Sequence, residues 1–137
     1  MIKMYSCYTM IKKSQQKARN RGRLGEKEAG IYLLKHGYSV IFTNFHSKFG
    51  EIDIIAEKNQ TLIFTEVKTR TDNFKFGLPE EAMNRVKLLK IKRTIYEFFI
   101  KYPNYKYKKW RIDLVTVVLN SFEETGRIVH YKNVEIN

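Results

Sequence analysis

Asp53, Glu66 and Lys68 are the residues of this chain whose types and spacing suit hydrolytic chemistry. They lie in two segments, residues 50–56 and 61–70, that are rich in Ile, Phe, Val and Thr and alternate as strands do. The short polar link between the segments favours a hairpin. The sequence therefore predicts that two adjacent strands bring two carboxylates and an ammonium close together.

The alternation of side chains along a strand decides which of these groups meet. Glu51 and Asp53 share one face of the first strand, and Glu66 and Lys68 share one face of the second. In a hairpin the two faces coincide. Carboxylates walled by Ile, Phe and Val are costly to desolvate unless a partner such as a divalent cation compensates them. The pattern therefore indicates a metal-dependent phosphodiester site, in which Glu51 is a supporting residue and not a ligand.

The order of these residues resembles the D...ExK core of the restriction-endonuclease-like (PD-(D/E)xK) nucleases, because twelve residues separate Asp53 from Glu66-x-Lys68. A longer pattern over residues 22–120 resembles the YraN-type family of small bacterial proteins. His46 departs from that pattern, in which an arginine is expected, and this calls one phosphate contact into question. The matching motifs are Gly25-Glu26-x-x-Ala29, Gly50-Glu51-Ile52-Asp53, Phe64-x-Glu66-Val67-Lys68-x-Arg70, Phe76-Gly77-x-Pro79-Glu80-x-Ala82 and Arg111-x-Asp113.

The resemblance implies a fold and a set of roles. The fold is α/β, a restriction-endonuclease-like sandwich with a central mixed β-sheet flanked by helices; the sequence pattern alone gives only α/β. The cofactor is Mg²⁺ (or Mn²⁺), held by Asp53 and Glu66, with the Val67 carbonyl as a third ligand and Glu26 completing the set from the first helix. Lys68 orients or helps to deprotonate the attacking water and offsets charge on the phosphorane. The alternative for Glu26 is a structural carboxylate, either favoured by the helix dipole in a first helical turn or paired with a nearby Lys or Arg.

The positive charge of the chain, a net +12, is concentrated in two segments. Residues 1–23 carry seven Lys and Arg and no acid, and residues 85–111 carry ten against Glu97 alone. Such a distribution around an acidic centre predicts a polyanion held over a cation site. The predicted nucleic-acid contacts are Arg70, Arg85, Lys87, Lys90, Arg93, Lys108 and Lys109.

Two other interpretations of the basic segments remain open. The lysines of the second helix could form a solvated face, although they lack acidic partners one turn away. The segment 102–110 interleaves aromatics with lysines, which suits stacking on unpaired bases, but the same rings could anchor a loop to the core.

The domain organisation follows from length and composition. Residues 1–20 are predicted to be a basic N-terminal arm, flexible or partly helical, and residues 21–137 a single nuclease-like domain. The arm could instead be a solubilising tail, or follow an upstream start, since Met4 and Met10 are alternative initiators. A single cysteine, Cys7, excludes an intrachain disulfide and a thiolate zinc site and fits a cytoplasmic location. No apolar run is long enough to span a membrane.

The elements that must position the site can also be predicted. A helix from Lys17 or Leu24 to His36 is closed by Gly37. Asp113, within an apolar strand, is expected to pair with Arg111 or Lys68 in a structural role; the alternative is that it reaches the metal cluster. The dispersed histidines show no ligand spacing, and no Gly-rich loop indicates nucleotide hydrolysis. The other predicted elements are strands at 38–43, 111–119 and 127–136, a loop at 44–49 and a helix from Pro79 to about Lys101.

Three functions stay in competition at this point. The first is a nuclease acting on DNA, including branched or junction DNA, with RNA also open as substrate. The second is a nucleic-acid-binding module that keeps a nuclease scaffold without cutting. The third is an adaptor whose basic surface meets an acidic protein. A homodimer is expected only by analogy with junction-cutting nucleases of this fold.

Overall fold

The computed structural model describes residues 2–71, 83–120, 122 and 124–135. The described part is mixed α/β: one open five-stranded sheet and two α-helices, joined to a short 3₁₀ turn at Pro103–Tyr105. The α/β class with a central mixed sheet is therefore confirmed. The elements in chain order are α1 (Ile2–Lys35), β1 (Ser39–Ser47), β2 (Gly50–Lys58), β3 (Thr61–Thr71), α2 (Arg85–Lys101), β4 (Lys109–Leu119) and β5 (Thr125–Tyr131).

The strand order across the sheet is the order along the chain, β1-β2-β3-β4-β5. β3 and β4 run parallel, and all other neighbours are antiparallel. The turn between β2 and β3 is Asn59-Gln60, whose φ angles of 51° and 63° are those of a type I′ hairpin turn. This turn fixes the register of the two strands that carry Asp53 and Glu66, as the hairpin prediction required.

α1 ends in a Schellman motif. Tyr38 N–H donates to the Leu33 carbonyl at 3.0 Å and Gly37 N–H to the Leu34 carbonyl at 3.2 Å, with Gly37 at a φ of 84°. The predicted helix end at Gly37 is therefore confirmed. The helix begins at Ile2, well before the predicted start, so the segment predicted as an arm continues α1.

α2 begins at Arg85, and the prediction of one helix running on from Pro79 is wrong. Asn84 is its N-cap: the backbone of Asn84 is extended, and its side chain accepts the Lys87 N–H at 2.9 Å. Pro79 itself, like the predicted loop at Phe76-Gly77, lies outside the described residues. The apolar side of α2 is buried, with Leu88, Ile91, Ile95 and Phe98 in the core.

The sheet has a core on each face. α2 packs on one face over Ile55, Phe64 and Ile112, and α1 packs on the other over Ile54, Ile63 and Val115. Each fully buried side chain of this size contributes about 1.5–3 kcal/mol of transfer free energy. Neither described helix is long and apolar enough to span a bilayer.

The bounds of β1, β4 and β5 differ from the predictions. β1 runs to Ser47, so the predicted loop at 44–49 shortens to the turn Lys48-Phe49. β4 starts two residues earlier, at Lys109, and β5 starts at Thr125 and ends at Tyr131. The cause in β1 is pairing with β2, which continues to Ser47 opposite Gly50 despite the polar composition of that stretch.

Candidate functional site

The carboxylates sit where β2 and β3 separate. The backbone pairing of these strands stops at Ile54 opposite Thr65, although both strands continue. Asp53 is the next residue on β2 and Glu66 the next on β3. The Val67 N–H donates to Asp53 Oδ2 at 2.7 Å, so the carboxylate takes the hydrogen bond that the neighbouring backbone would otherwise accept. The predicted convergence of Asp53 and Glu66 is therefore observed.

Both carboxylates are buried, each only 7% exposed. Burial, together with the charge of Glu66, raises the pKa of Asp53 to about 6, although the Val67 N–H opposes the shift. Glu51 adds a smaller repulsion and Lys87 a smaller attraction to the same pKa. Asp53 thus ionises with difficulty unless a cation joins the site.

A lysine from α2 provides such a charge. Lys87 Nζ lies 3.0 Å from Glu66 Oε1, and the lysine side chain is 36% exposed. The sequence placed Lys87 among the phosphate contacts and missed this pairing. The signal available was weak: Lys87 is one of several basic residues in α2, and the interrupted helix start at Asn84 determines which of them faces the sheet.

Glu26 approaches the pair from α1. Its pKa is raised by burial and by Asp53, against a hydrogen bond from the Asn44 side chain. Glu26 lies deep within α1, so the alternative of a first-turn carboxylate is wrong. Asn44 has a φ of 52°, a left-handed conformation that asparagine tolerates well. The sequence offered no signal that Asn44 would reach Glu26.

A close helix–sheet contact sets the position of Glu26. A Cβ built on Gly25 would lie 1.8 Å from Thr69 Oγ1, so only glycine lets α1 approach β3 this closely. A Cβ built on Gly30, on the same helix, has no neighbour within 4 Å. Of these two glycines, Gly25 alone is needed for the close approach.

Lys68 is exposed, unlike the two buried carboxylates, and within the described residues no ion pair holds it. It lines a cleft of about 150 Å³ with Arg21, Thr69, Arg70 and Thr71. The structure therefore brings Asp53, Glu66 and Lys87 together and leaves Lys68 and Arg70 at the adjoining rim.

The donor set suits a hard cation only in part. In the parts of the chain that are described, no three His, Cys, Asp or Glu side chains come close enough to hold a metal ion. Asp53 and Glu66 offer carboxylate oxygens, which Mg²⁺ and Mn²⁺ prefer. The ammonium of Lys87 already lies against one oxygen of Glu66 and partly neutralises its charge. The two carboxylates fit such an ion as ligands, while Glu26 fits as a more distant carboxylate. Val67 contributes its N–H to Asp53.

The remaining basic residues divide between the two ends of the sheet. Arg85, Lys90 and Arg93 are exposed on α2, on the same side as the carboxylate pair. Lys108 pairs with Glu57, and Lys109 lies beside Thr61 at the start of β3. Glu66 is five residues further along β3, roughly 17 Å away. The structure thus does not bring Lys108 and Lys109 to the carboxylates.

A cleft of about 390 Å³ lies between the β1–β2 turn and α2. Lys87 and Lys90 line it from α2, and His46 and Glu51 line it from the strands. His46 Nδ1 is 3.3 Å from Glu51 Oε2. Arg93 lies over the ring of Phe49 at the turn, 5.8 Å from its centroid. The cleft therefore runs along the basic face of α2 and includes Lys87, the residue that contacts Glu66.

The aromatic segment serves mainly as an anchor. Tyr102 and Tyr105 pack on the core beneath α2. Tyr107 is 87% exposed and Trp110 is 39% exposed. Of the two interpretations of this segment, the loop anchor accounts for the first two rings.

Asp113 belongs to a separate buried network on the α1 face. Arg111 donates to both of its oxygens, at 2.9 and 3.1 Å, and His130 Nε2 lies 2.8 Å from Oδ2. The Asn133 N–H donates to Oδ1 at 2.9 Å. Burial raises the pKa of Asp113, but the hydrogen bonds from His130, Arg111 and Asn133 outweigh it and leave the pKa below its usual value. The predicted structural pairing with Arg111 is confirmed.

Fold and site together define a class: a small mixed α/β protein with a buried carboxylate pair where two central strands separate, beside a basic helix. The chain belongs to the uncharacterised protein family UPF0102, whose pattern matches residues 25–117. The resemblance to the YraN-type family is thereby confirmed. The matched range includes Glu26, Asp53, Glu66 and Lys87.

Relatives from distant bacteria support the assignment. A UPF0102 protein of Caldicellulosiruptor bescii is 44% identical over 108 residues, covering 78% of this chain and 89% of the relative. One from Parabacteroides distasonis is 40% identical over 110 residues, covering 80% of this chain and 86% of the relative. One from Clostridium acetobutylicum is 42% identical over 99 residues, covering 72% and 80%.

Proposed function

We propose that this protein is a metal-dependent nuclease of the restriction-endonuclease-like type, which hydrolyses phosphodiester bonds in DNA. The observation that carries the proposal is the pairing of two buried carboxylates, Asp53 and Glu66, at the point where β2 and β3 separate. Burying two carboxylates costs free energy, and a bound cation would compensate that cost.

Each residue of the site has a role in this proposal. Mg²⁺ or Mn²⁺, when bound, supplies charge that activates water and stabilises the phosphorane. Asp53 is held in one orientation by the Val67 N–H, so its second oxygen is free to act as a ligand beside Glu66. Glu26 extends the negative field from α1. Lys68, at the rim, faces an incoming phosphate and offsets the charge that develops on it.

The arrangement of the sheet and the surrounding charge support the same function. A mixed sheet with a carboxylate pair on its central hairpin is the arrangement expected of the restriction-endonuclease-like fold. Arg85, Lys90 and Arg93 are exposed on α2, the helix whose Lys87 contacts Glu66, and their positive charge suits phosphates. Arg70 lies on β3, two residues after Lys68. Branched or junction DNA is the substrate class, and a homodimer is the assembly that such a substrate favours.

One observation favours a second function, a nucleic-acid-binding module that does not cut. Lys68, the lysine of the ExK pattern, is exposed, and the lysine that contacts Glu66 is Lys87. Because Lys87 already neutralises Glu66, the site has no need of a metal ion, and its role in a binding module would be structural.

The experiment that decides between the two is a cleavage assay with a matched pair of variants. Purified protein with Mg²⁺ or Mn²⁺ is tested on duplex, flap, four-way junction, single-stranded DNA and RNA. Lys68→Ala removes a cation at the site, and Lys35→Ala removes one at the exposed end of α1. We expect Lys68→Ala to abolish cleavage while nucleic-acid and metal affinity stay nearly intact, because its charge acts mainly in the transition state.

Lys35→Ala should cleave as the wild type does. Cleavage that persists unchanged in Lys68→Ala would reveal a contaminating nuclease or a different catalytic group. A wild type that cleaves none of the five substrates would favour the binding module.

A further inference from the structure

The contact between Lys87 and Glu66 is unusual for its place in the helix. Lys87 lies in the first turn of α2, which contains no acidic residue. The positive end of the helix dipole disfavours a cation there. Its ammonium nevertheless sits 3.0 Å from Glu66 Oε1, against a carboxylate that is 93% buried. Lys87 thus holds a positive charge at a helix position where the dipole disfavours one, next to a carboxylate that is proposed to bind a metal ion.

The local structure holds Lys87 at this place. Asn84 caps the helix by accepting the Lys87 N–H at 2.9 Å, which fixes the start of α2 and hence the direction of the Lys87 side chain. Leu88 and Ile91 bury the next turn against the sheet. Lys90, one turn on, is exposed in the same cleft and makes no ion pair with Glu66. The pairing is therefore a property of one position and not of a generally basic helix.

We propose that Lys87 is a displaceable counter-ion: it neutralises Glu66 when no metal is bound, and on metal binding turns into the adjoining cleft to hold a phosphate of the substrate. This inference rests on the proposed function, which it deepens by adding a positioning residue outside the ExK pattern. The ammonium and a divalent ion are attracted to the same carboxylate and repel each other, so metal binding at Glu66 weakens the contact of Lys87 with it.

The cleft gives the displaced side chain a destination. Lys87 already lines it together with Lys90, and its side chain is partly exposed, so open space lies beside the ammonium in its contact with Glu66. There a phosphodiester next to the bound cation would meet two ammonium groups. The exchange keeps the carboxylates neutralised in both states and makes the phosphate contact available only when the metal is present.

The test compares two substitutions of lysine by methionine, which keep the length of the side chain and remove the charge. Manganese binding to Lys87→Met, Lys90→Met and the wild type is measured by calorimetry without nucleic acid. Because Lys87 and the metal compete for Glu66, we expect Lys87→Met to bind Mn²⁺ about tenfold more tightly than the wild type. Lys90→Met should bind it as the wild type does.

Lys87→Arg serves as the conservative variant and should restore the weaker metal affinity of the wild type. Circular dichroism is to be used to check that each variant is folded before its affinity is compared. With Mn²⁺ present, Lys87→Met should also cleave more slowly than the wild type despite its tighter metal binding. A lysine that merely stabilised the fold would not produce these opposite changes.

The failures of the two proposals are distinguishable. Equal or weaker Mn²⁺ binding by Lys87→Met, in a protein whose wild type cleaves DNA, overturns the counter-ion and leaves the nuclease intact. Tighter binding by Lys87→Met, in a protein that cleaves no substrate, supports the counter-ion and overturns the nuclease. Absence of Mn²⁺ binding in all variants overturns both.

Discussion

The sharpest consequence of the site concerns stability, and it compares two buried aspartates on different strands. Asp53 has a pKa raised by burial and by Glu66, whereas Asp113 has a pKa lowered by the hydrogen bonds that outweigh its burial. Replacing each by asparagine removes the charge and keeps the shape. Asparagine at position 53 can still accept the Val67 N–H. We therefore expect Asp53→Asn to stabilise the protein and Asp113→Asn to destabilise it at neutral pH.

The magnitude follows from the pKa of Asp53. A rise from the ordinary 3.8 to about 6 is two pKa units, or about 3 kcal/mol at pH values above both. Because the folded-state pKa is the higher one, this stability is present below pH 4 and is lost as the pH rises through 6. Asp53→Asn should recover it, a gain of roughly 10 °C in melting temperature at pH 7.5, and should show little advantage at pH 4.

The charge of Asp113 stabilises the folded protein at neutral pH, whereas that of Asp53 destabilises it. Its folded-state pKa lies below the unfolded value, so its stability is present at neutral pH and is lost as the pH falls. Asp113→Asn leaves the Arg111 guanidinium without its bidentate partner, which costs about 3 kcal/mol at pH 7.5 since Arg111 is partly exposed. The assay is thermal unfolding of both variants from pH 4 to 8 with EDTA present. An Asp53→Asn protein less stable than the wild type at pH 7.5, or equally advantaged at pH 4, would refute the reasoning.

Two further predictions follow from the helices. Gly25→Ala should force α1 away from Thr69 and lower the melting temperature, because the added Cβ would lie 1.8 Å from Thr69 Oγ1. Gly30→Ala is the control and should not lower the melting temperature, because the space around Gly30 is open. Thermal unfolding of the two alanine variants checks this, and equal melting temperatures would contradict it. Lys90→Ala with Arg93→Ala should flatten the salt dependence of duplex DNA binding by about two units of slope in a logarithmic plot, measured by fluorescence anisotropy. An unchanged slope would place the nucleic acid on another surface.

The sequence was most informative where local rules act alone. The alternation of residues 50–56 and 61–70 and the turn between them predicted the hairpin, and Gly37 predicted the end of α1. The facing of Asp53 and Glu66 followed from the period of two along each strand, because register in a short hairpin is set locally. Asp113 and Arg111, two apart on one strand, could be paired for the same reason.

The features that the sequence did not predict all depend on contacts between distant segments. Lys87 reaches Glu66 because Asn84 caps α2, which therefore starts at Arg85, and composition gave no reason to start the helix there. Asn44 reaches Glu26 through a left-handed residue in a strand that the sequence presented as a loop. His130 and Asn133 joined Asp113 without any spacing signal. Pattern rules describe neighbours along the chain and carry no information about these approaches.

The position of β3 has a consequence for how the protein is made. In the finished sheet β3 lies between β2 and β4, yet its partner β4 comes after the whole of α2 in the chain. During synthesis the meander β1-β2-β3 can pair first, and the outer edge of β3 then displays unpaired backbone groups until β4 emerges from the ribosome. That edge runs through the apolar segment Leu62–Thr65 and would invite pairing between nascent chains. Glu66 and Lys68 follow it directly with opposite charges, and we expect the two residues proposed to act on phosphodiesters also to oppose such pairing while the sheet is unfinished.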